Sequence, residues 1–285
     1  MGRLCEMTGV ISELITYPIK GCAGVALSES VLARAGLVHD RGFMVVDTHG
    51  KFRSQRRDPR LALIRPRVDA GGARLTLRAP GFQDLDVAVD LDSPRRAVEL
   101  FGRSHEGIDQ GESAAEWLSS VLGTASRLVR VPPEHVRVVG GRTPGTSGYA
   151  DSSPVHAISR ASLDELNRRR HGPPIPMSRF RPNIVIDGWD EPHLEDRADR
   201  IVVGNAELAY AKLAIRCAVT LVDQRRGGKA GPEPLHTLAA YRRAAAGGVA
   251  FGAKFSVLRP GKLAVGDAFT VTAWTDSQLD EPQRS

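Results

Sequence analysis

The sequence is short of cysteine, short of aromatic residues and free of long apolar runs. Its three cysteines, Cys5, Cys22 and Cys217, are odd in number and widely spaced, which excludes a disulfide framework and any paired CxxC zinc pattern. They are also too few to hold an iron–sulfur cluster through four thiolates of this chain. Aromatics make up only 5% of the residues and no long Lys/Arg run occurs, so a base-stacking platform for nucleic acid is disfavoured. No apolar stretch approaches the roughly 18 residues of a membrane helix, and the N-terminus lacks the basic-then-apolar order of a signal peptide. The expected compartment is therefore the cytoplasm, with neither membrane nor nucleic acid as partner. Gly-x-x-x-x-Gly-Lys-Ser/Thr, Gly-x-Gly-x-x-Gly and His-Glu-x-x-His are all missing. The eight histidines show no metal-ligand spacing, and Ser153 sits in no nucleophile elbow.

What is present is the composition of an ordinary globular chain: 285 residues, 41% apolar and 25% charged, enough for one large domain or two modest ones. The net charge is +6 and Arg dominates the basic residues. Arg pairs phosphate oxygens two at a time, so phosphorylated ligands are one reading of this balance and a solvated basic surface is the plainer one.

Alternating, β-branched residues predict a strand over 8–19, and further short strands over 27–32, 43–46, 61–68, 74–78 and 85–91, with Gly, Pro and Asp turns between them. A helix is predicted over 113–122, where Ala114, Trp117, Leu118 and Val121 share a face and Gly123 stops the helix. Residues 140–148 have almost no apolar content and read as a seam or mobile segment. Beyond it, a strand over 155–158 leads to a helix over 163–170, capped by Ser159 or Ser162 with Asp164 and Glu165 in its first turn. Strands over 184–186, 201–203, 206–213, 219–222, 255–258 and 269–273 and a helix over 234–246 complete the pattern. The expected fold is mainly β with a few helices (α+β): one β-barrel-like unit over 8–130, a second over 131–275, and a disordered tail over 276–285.

The strongest chemical signal is Arg216-Cys217, at the end of the apolar run Leu213-Ala214-Ile215. A neighbouring cation favours thiolate, the form that ligates a soft metal or attacks. The plain alternative is a small buried hydrophobe, the usual fate of a free cysteine. Lys20, Arg41, Ser152, Ser153 and Arg181 lie in turns between strands and together offer cations and hydroxyls suited to a phosphorylated ligand.

Tyr17-Pro18-Ile19-Lys20-Gly21-Cys22 and Gly36-Leu37-Val38-His39-Asp40-Arg41 resemble the N-terminal β-barrel domain of MOSC proteins. Phe180-Arg181-Pro182-Asn183-Ile184, Glu195-Asp196, Arg216-Cys217, Thr220 and the closing 260–267 are similar to the MOSC domain itself, nearest its amidoxime-reducing branch. The resemblance implies a molybdenum cofactor (Mo-molybdopterin), with Cys217 as the catalytic residue and the protein's ligand to the metal. Lys20, Arg41, Arg181 and Arg216 would grip the pterin and its phosphate, with Ser152 and Ser153 bonded to the same group. It implies reduction of small N-hydroxylated compounds, and electrons from a separate donor, a reductase or iron–sulfur protein. Asp223 and loops near 140–148 and 224–232 would shape the mouth of the pocket. Three departures stand out: Gly21 where relatives often carry Ser, Ala198 where a Trp is common, and Lys254 where the cofactor wall usually has an aromatic or polar residue. Two other readings stay open, a sulfur carrier or cofactor-handling protein acting through Cys217, and a basic β-barrel that binds nucleic acid.

Overall fold

The computed structural model describes residues 7–245 and 247–279. Cys5 and the last six residues of the expected tail lie outside that range. Seven strands form the larger β unit: β1 (Met7–Thr16), β2 (Val155–Ser159), β3 (Ile184–Asp187), β4 (Ala198–Val203), β5 (Ala206–Arg216), β6 (Val249–Arg259) and β7 (Ala268–Trp274). Their order is β3-β2-β6-β5-β4-β7-β1, and β1 pairs back onto β3, closing a barrel. All neighbours are antiparallel except β2 and β3. Closure leaves the seven strands with no free edge among themselves. Inward residues of alternating pattern, among them Ile11, Leu14, Ile201, Leu208, Tyr210, Phe255 and Phe269, fill the interior. The first described strand, with Val25–Leu27 paired along its end, is thus hydrogen-bonded into a sheet whose other strands come from residues 155–274.

The intervening chain builds a smaller unit. Five strands order as Arg95–Leu100, Arg103–Asp109, Arg127–Arg130, Phe43–Val46 and Ile19–Lys20, beside a three-stranded meander over 65–88. Helix α1 (Glu112–Leu122) lays Ala114, Leu118, Val121 and Leu122 on this sheet and ends at Gly123, whose φ of 71° is the left-handed cap that glycine favours. The fold is mainly β with few helices, as the sequence predicts.

Several local expectations need correction. Residues 59–63 and 218–221 are 3-10 turns rather than strand. The second helix, α2, spans Arg160–Arg169 and is capped by Ser159, whose side chain accepts from the Ser162 amide, so Asp164 and Glu165 fall beyond its first turn. Helix α3 (Leu235–Tyr241) stops inside the longer span predicted. The stretch 140–148 is tied down rather than a free seam. Gly145-Thr146 pairs with Val138-Val139, the Arg142 amide donates to the Ala211 carbonyl at 2.7 Å, and the Ser256 hydroxyl donates to the Thr143 carbonyl at 2.7 Å. Its low apolar content reflects backbone contact, since a Cβ on Gly141 would meet the Ala211 oxygen at 2.7 Å. Within the expected tail, Leu279 packs against Leu213, Ala244 and Ala250.

Candidate functional site

Where β2, β5 and β6 meet the loops of the smaller unit, the protein encloses a cavity of about 420 Å³. Lys20, Arg41, Ser152, Ser153, Arg181, Arg216 and Cys217, the residues singled out from the sequence, all line it. Residues separated by nearly 200 positions converge because the parallel pairing of Ile19-Lys20 with Phe43-Met44 brings the N-terminal loop over the ends of β2 and β5.

The two thiols in the described residues have opposite fates. Cys22 is fully buried in the smaller core, and burial pushes its thiol up to about 12, where it is inert. Cys217 is a free, exposed thiol at the cavity, which removes the buried-hydrophobe reading of that residue. It follows β5 directly and opens the 3-10 turn 218–221, where the Thr220 hydroxyl donates to the Cys217 carbonyl at 3.0 Å. The turn halts the strand and leaves the sulfur outside the barrel wall.

Cations surround this sulfur's cavity. Seven of them line it (Lys20, Arg41, Arg56, Arg181, Lys212, Arg216 and Lys254) against a single carboxylate, Asp151. Asp151 pairs with Lys20 while its side chain remains 62% exposed, open to the cavity. Its surroundings alone would raise the carboxyl by desolvation, but Lys20, Lys254 and Arg41 outweigh this and hold it well below the usual carboxylate range. Lys20 is itself buried, with its proton affinity lowered by desolvation against the pull of Asp151, and its ammonium lies 5.1 and 4.9 Å from the ring centroids of Phe52 and Phe101.

Arg41 and Arg181 are held by a network joining the two units. Tyr17 and Asn183 both donate to Asp40 Oδ1, at 2.8 Å (backbone amide) and 3.1 Å (side chain). Arg41 pairs with Asp40 and donates to Asn183 Oδ1 at 3.1 Å. Both arginines sit at left-handed backbone, with φ of 48° and 57°, a strain of the kind that clusters at ligand sites. Arg216 donates to the Phe180 carbonyl at 2.7 Å, and its buried Nε has no partner among the described residues. Desolvation lowers its proton affinity to about 10, so it stays a cation at neutral pH.

His156 and Lys212, which sequence reasoning passed over, share this wall with Lys254, which it placed there. His156 stands opposite Lys254, and Lys254 opposite Lys212, so β2, β6 and β5 present a row of cross-strand neighbours. Two lysines directly opposite repel one another. Lys254 donates to Ser152 Oγ at 2.6 Å, and desolvation lowers its ammonium to about 8. His156 is held well below its ordinary titration range by burial, then by Arg216 and Lys254. It is the neutral imidazole. Since Arg216 Nη1 can only donate, Nε2 at 3.4 Å carries the lone pair and Nδ1 carries the proton, 3.4 Å from the Arg181 carbonyl. Period-two alternation could flag His156 and Lys254 as strand residues, but only the register shows them side by side.

The expected mouth loops 140–148 and 224–232 do not line the cavity; Phe52, Ser54, Gln55, Arg56, Phe101 and Val219 do. Asp223 is likewise displaced from it, and its carboxylate accepts from the backbone amides of Arg225 and Arg226. Glu195 and Asp196 lie under α2 and α3 instead of at the site: Glu195 accepts from the hydroxyls of Ser159 and Ser162 at 3.0 and 2.7 Å, and Asp196 pairs with the buried Arg242. Ala198 is buried in the barrel opposite Trp274. Gly21 has φ of 84°, a conformation glycine adopts without strain, and its carbonyl accepts from Gln55 Nε2 at 2.6 Å.

The donor set fits a polyanionic, phosphorylated ligand with a soft metal at its sulfur end. Seven cations with one carboxylate, three serine hydroxyls and an exposed thiol leave positive charge that the protein does not neutralise. Among the described residues no group of three or more His, Cys, Asp or Glu is gathered for a metal ion, so a metal at Cys217 would take its other ligands from the bound group.

Residues 8–125 match the MOSC N-terminal beta barrel domain and residues 144–270 match the MOSC domain. The chain is 35% identical to mitochondrial amidoxime reducing component 2 of Rattus norvegicus, over 93% of this chain and 84% of that protein. It is 33% identical to mitochondrial amidoxime-reducing component 1 of Homo sapiens, over 93% of this chain and 83% of that one. It is also 30% identical, over 88% of its length, to the molybdenum cofactor sulfurase of Danio rerio, of which it spans 32%. A thiol-bearing cationic cavity between a barrel and its smaller companion, and matches that run through both, lead to one assignment: the chain belongs to the MOSC family, with the MOSC N-terminal β-barrel and MOSC domains in that order, and is similar to the amidoxime-reducing components.

Proposed function

We propose that the protein is a molybdenum-cofactor-dependent reductase of small N-hydroxylated compounds, supplied with electrons by a separate donor protein. The observation that carries this reading is the exposed Cys217 thiol at the rim of a cavity lined by seven cations. Similarity to the amidoxime-reducing components over most of both chains supports it.

Cys217 would bind the metal, and Lys20, Arg41, Arg181 and Arg216 would neutralise the pterin phosphate, with Ser152 and Ser153 as hydrogen-bonding partners. When bound, the molybdenum cofactor supplies two-electron oxygen-atom chemistry. The substrate takes up two electrons and two protons, its N–O bond breaks, and an N–H compound and water leave. The cavity walls shape this exchange. Lys254 holds a proton at Nζ at neutral pH, because its shifted value of about 8 still lies above 7. Neutral His156 accepts from Arg216 and so helps fix the guanidinium next to Cys217. Phe52, Phe101 and Phe180 give the cavity its apolar lining.

Reduction of benzamidoxime by the cofactor-loaded protein, with reduced methyl viologen as electron source, tests the reading. Turnover that disappears in a folded Cys217→Ala variant is the expected result; full turnover in that variant overturns the reading. The likeness to a molybdenum cofactor sulfurase favours a second reading, in which Cys217 carries a persulfide. Stoichiometric persulfide at Cys217 in mass spectra of protein lacking molybdenum would establish that one instead.

A further inference from the structure

Gln55 and Gln224 exchange two amide hydrogen bonds, 3.1 Å from Gln55 Nε2 to Gln224 Oε1 and 2.9 Å in return. This clasp joins a loop of the smaller unit to the loop that follows the Cys217 turn. The same tripeptide occurs on both sides of it: Gln55-Arg56-Arg57 and Gln224-Arg225-Arg226. The clasp therefore brings two arginine pairs together at the edge of the cavity, and all four arginines are exposed.

Little nearby neutralises them: Asp223 offsets Arg226 in part, and Glu99 is the one carboxylate beside Arg56 and Arg57 in an adjoining hollow. Asp58 is engaged by Arg53 at 3.2 Å, and Asp223 accepts from the backbone amides of Arg225 and Arg226 at 2.8 and 3.0 Å. Among the described residues, none of the four arginines forms an ion pair. Lys229, on the strand that follows, is exposed as well. A second hollow of about 390 Å³, lined by Lys51, Arg56, Arg57, Phe52, Phe101 and Glu99, adjoins the cavity and shares Phe52, Arg56 and Phe101 with it. Phe101 is 51% exposed at a left-handed φ of 55° and packs edge-on to Phe52 at 6.3 Å. An exposed aromatic bordered by arginines has the composition of a protein interface, in which Arg and aromatic side chains are enriched.

We propose that this basic rim is the docking surface for a small acidic one-electron carrier protein, an inference that rests on the reductase reading. Arg225 and Arg226 do not line the cavity, so they serve a partner too large to enter it. Unpaired like charges on two clasped loops steer an acidic partner toward the mouth and hold it over Phe101. Its reduced redox centre gives up one electron per encounter. Two encounters supply the pair that, with two protons, converts the N–O bond to N–H and water.

The test uses the full chain loaded with cofactor, and an acidic [2Fe–2S] ferredoxin as probe. Binding is measured calorimetrically at low and at near-physiological salt for the native protein and for Arg57→Glu/Arg225→Glu/Arg226→Glu. Benzamidoxime reduction is followed in parallel, with ferredoxin or reduced methyl viologen as donor. The expected result is salt-sensitive ferredoxin binding that weakens about tenfold or more on charge reversal, with a matching loss in ferredoxin-supported kcat/KM and an unchanged viologen-supported rate. Ferredoxin binding that is absent, or unmoved by salt and by charge reversal, overturns the proposal. An equal loss of viologen-supported turnover also overturns it, because the arginines would then serve the substrate. Absence of viologen-supported turnover in the native protein refutes the reductase reading, while the binding arm still decides the docking surface.

Discussion

The guanidinium carbons of Arg41 and Arg181 stand 4.3 and 4.2 Å from the centroid of one ring, that of Tyr17. Two cations that would otherwise repel are both held by one aromatic ring. Tyr17 is itself fixed by its hydroxyl, which donates to the Pro182 carbonyl at 3.1 Å, and burial pushes its phenol up to about 12, so it remains neutral. Tyr17→Phe keeps the ring and should leave anion binding nearly unchanged. Tyr17→Leu removes it and should weaken binding of inorganic pyrophosphate to the ligand-free protein about thirtyfold, from about 1 kcal/mol of lost cation–π attraction per arginine. Calorimetric titration of both variants separates the ring from the hydroxyl.

Strain at Arg181 gives a second expectation. Its left-handed φ of 57° costs an ordinary side chain about 1 kcal/mol, a penalty glycine avoids. Its buried guanidinium has its proton affinity lowered by desolvation. Arg181→Gly should therefore raise the melting temperature of the ligand-free protein and at the same time reduce pyrophosphate affinity. A fall in both would mean that the side chain serves packing more than the ligand.

Lys254 sets a pH dependence whose sign follows from its shift. Desolvation lowers its ammonium from 10.5 to about 8. Between these values the unfolded chain holds a proton that the folded chain has released. The cost of burying this charge is thus fully felt below about pH 8 and fades as pH rises toward 10.5. An anion in the cavity favours the protonated form, so above about pH 8 binding takes up a proton, and affinity falls as pH rises through that range. Pyrophosphate titrations in buffers of different ionisation enthalpy should show this uptake, and Lys254→Met should abolish most of it while raising stability at neutral pH.

Glu195 tests whether a motif residue away from the cavity is structural. Its carboxyl receives the Ser159 and Ser162 hydroxyls beneath the N-terminus of α2. Glu195→Ala removes the acceptor of both hydroxyls, which lie 2.7 Å apart and can satisfy only one of their two donors between them, and should cost about 2 kcal/mol, read from chemical denaturation. Pyrophosphate binding at the cavity should be unchanged.

Contiguous signals were legible in the sequence. Arg216-Cys217 closes an apolar run, and Lys20 follows a strand motif, so both could be singled out without knowledge of pairing. The barrel was legible as short strands with turn residues between them, because alternation is a local property. The row His156, Lys254 and Lys212 was not legible as a row, since register is set by side chains distant in sequence and by bulges such as those along β5 and β6. Residues 140–148 read as a seam because Gly and Thr carry no apolar signature, whereas Gly141 is required by the close approach of the Ala211 carbonyl. The strand predicted over 219–222 failed for a related reason: β-branched Val219 and Thr220 have strand propensity, but the chain turns there, with the Thr220 amide and hydroxyl both bonded to the Cys217 carbonyl.

The central claim is that Cys217 ligates molybdenum of a pterin cofactor held by the cationic cavity. Elemental analysis together with oxidised-pterin fluorescence, on protein purified from a cofactor-producing host, tests it most directly. The account predicts near-stoichiometric molybdenum and pterin in the native protein and loss of the metal in a folded Cys217→Ala variant. Native protein without either, or Cys217→Ala that retains full molybdenum, would contradict it.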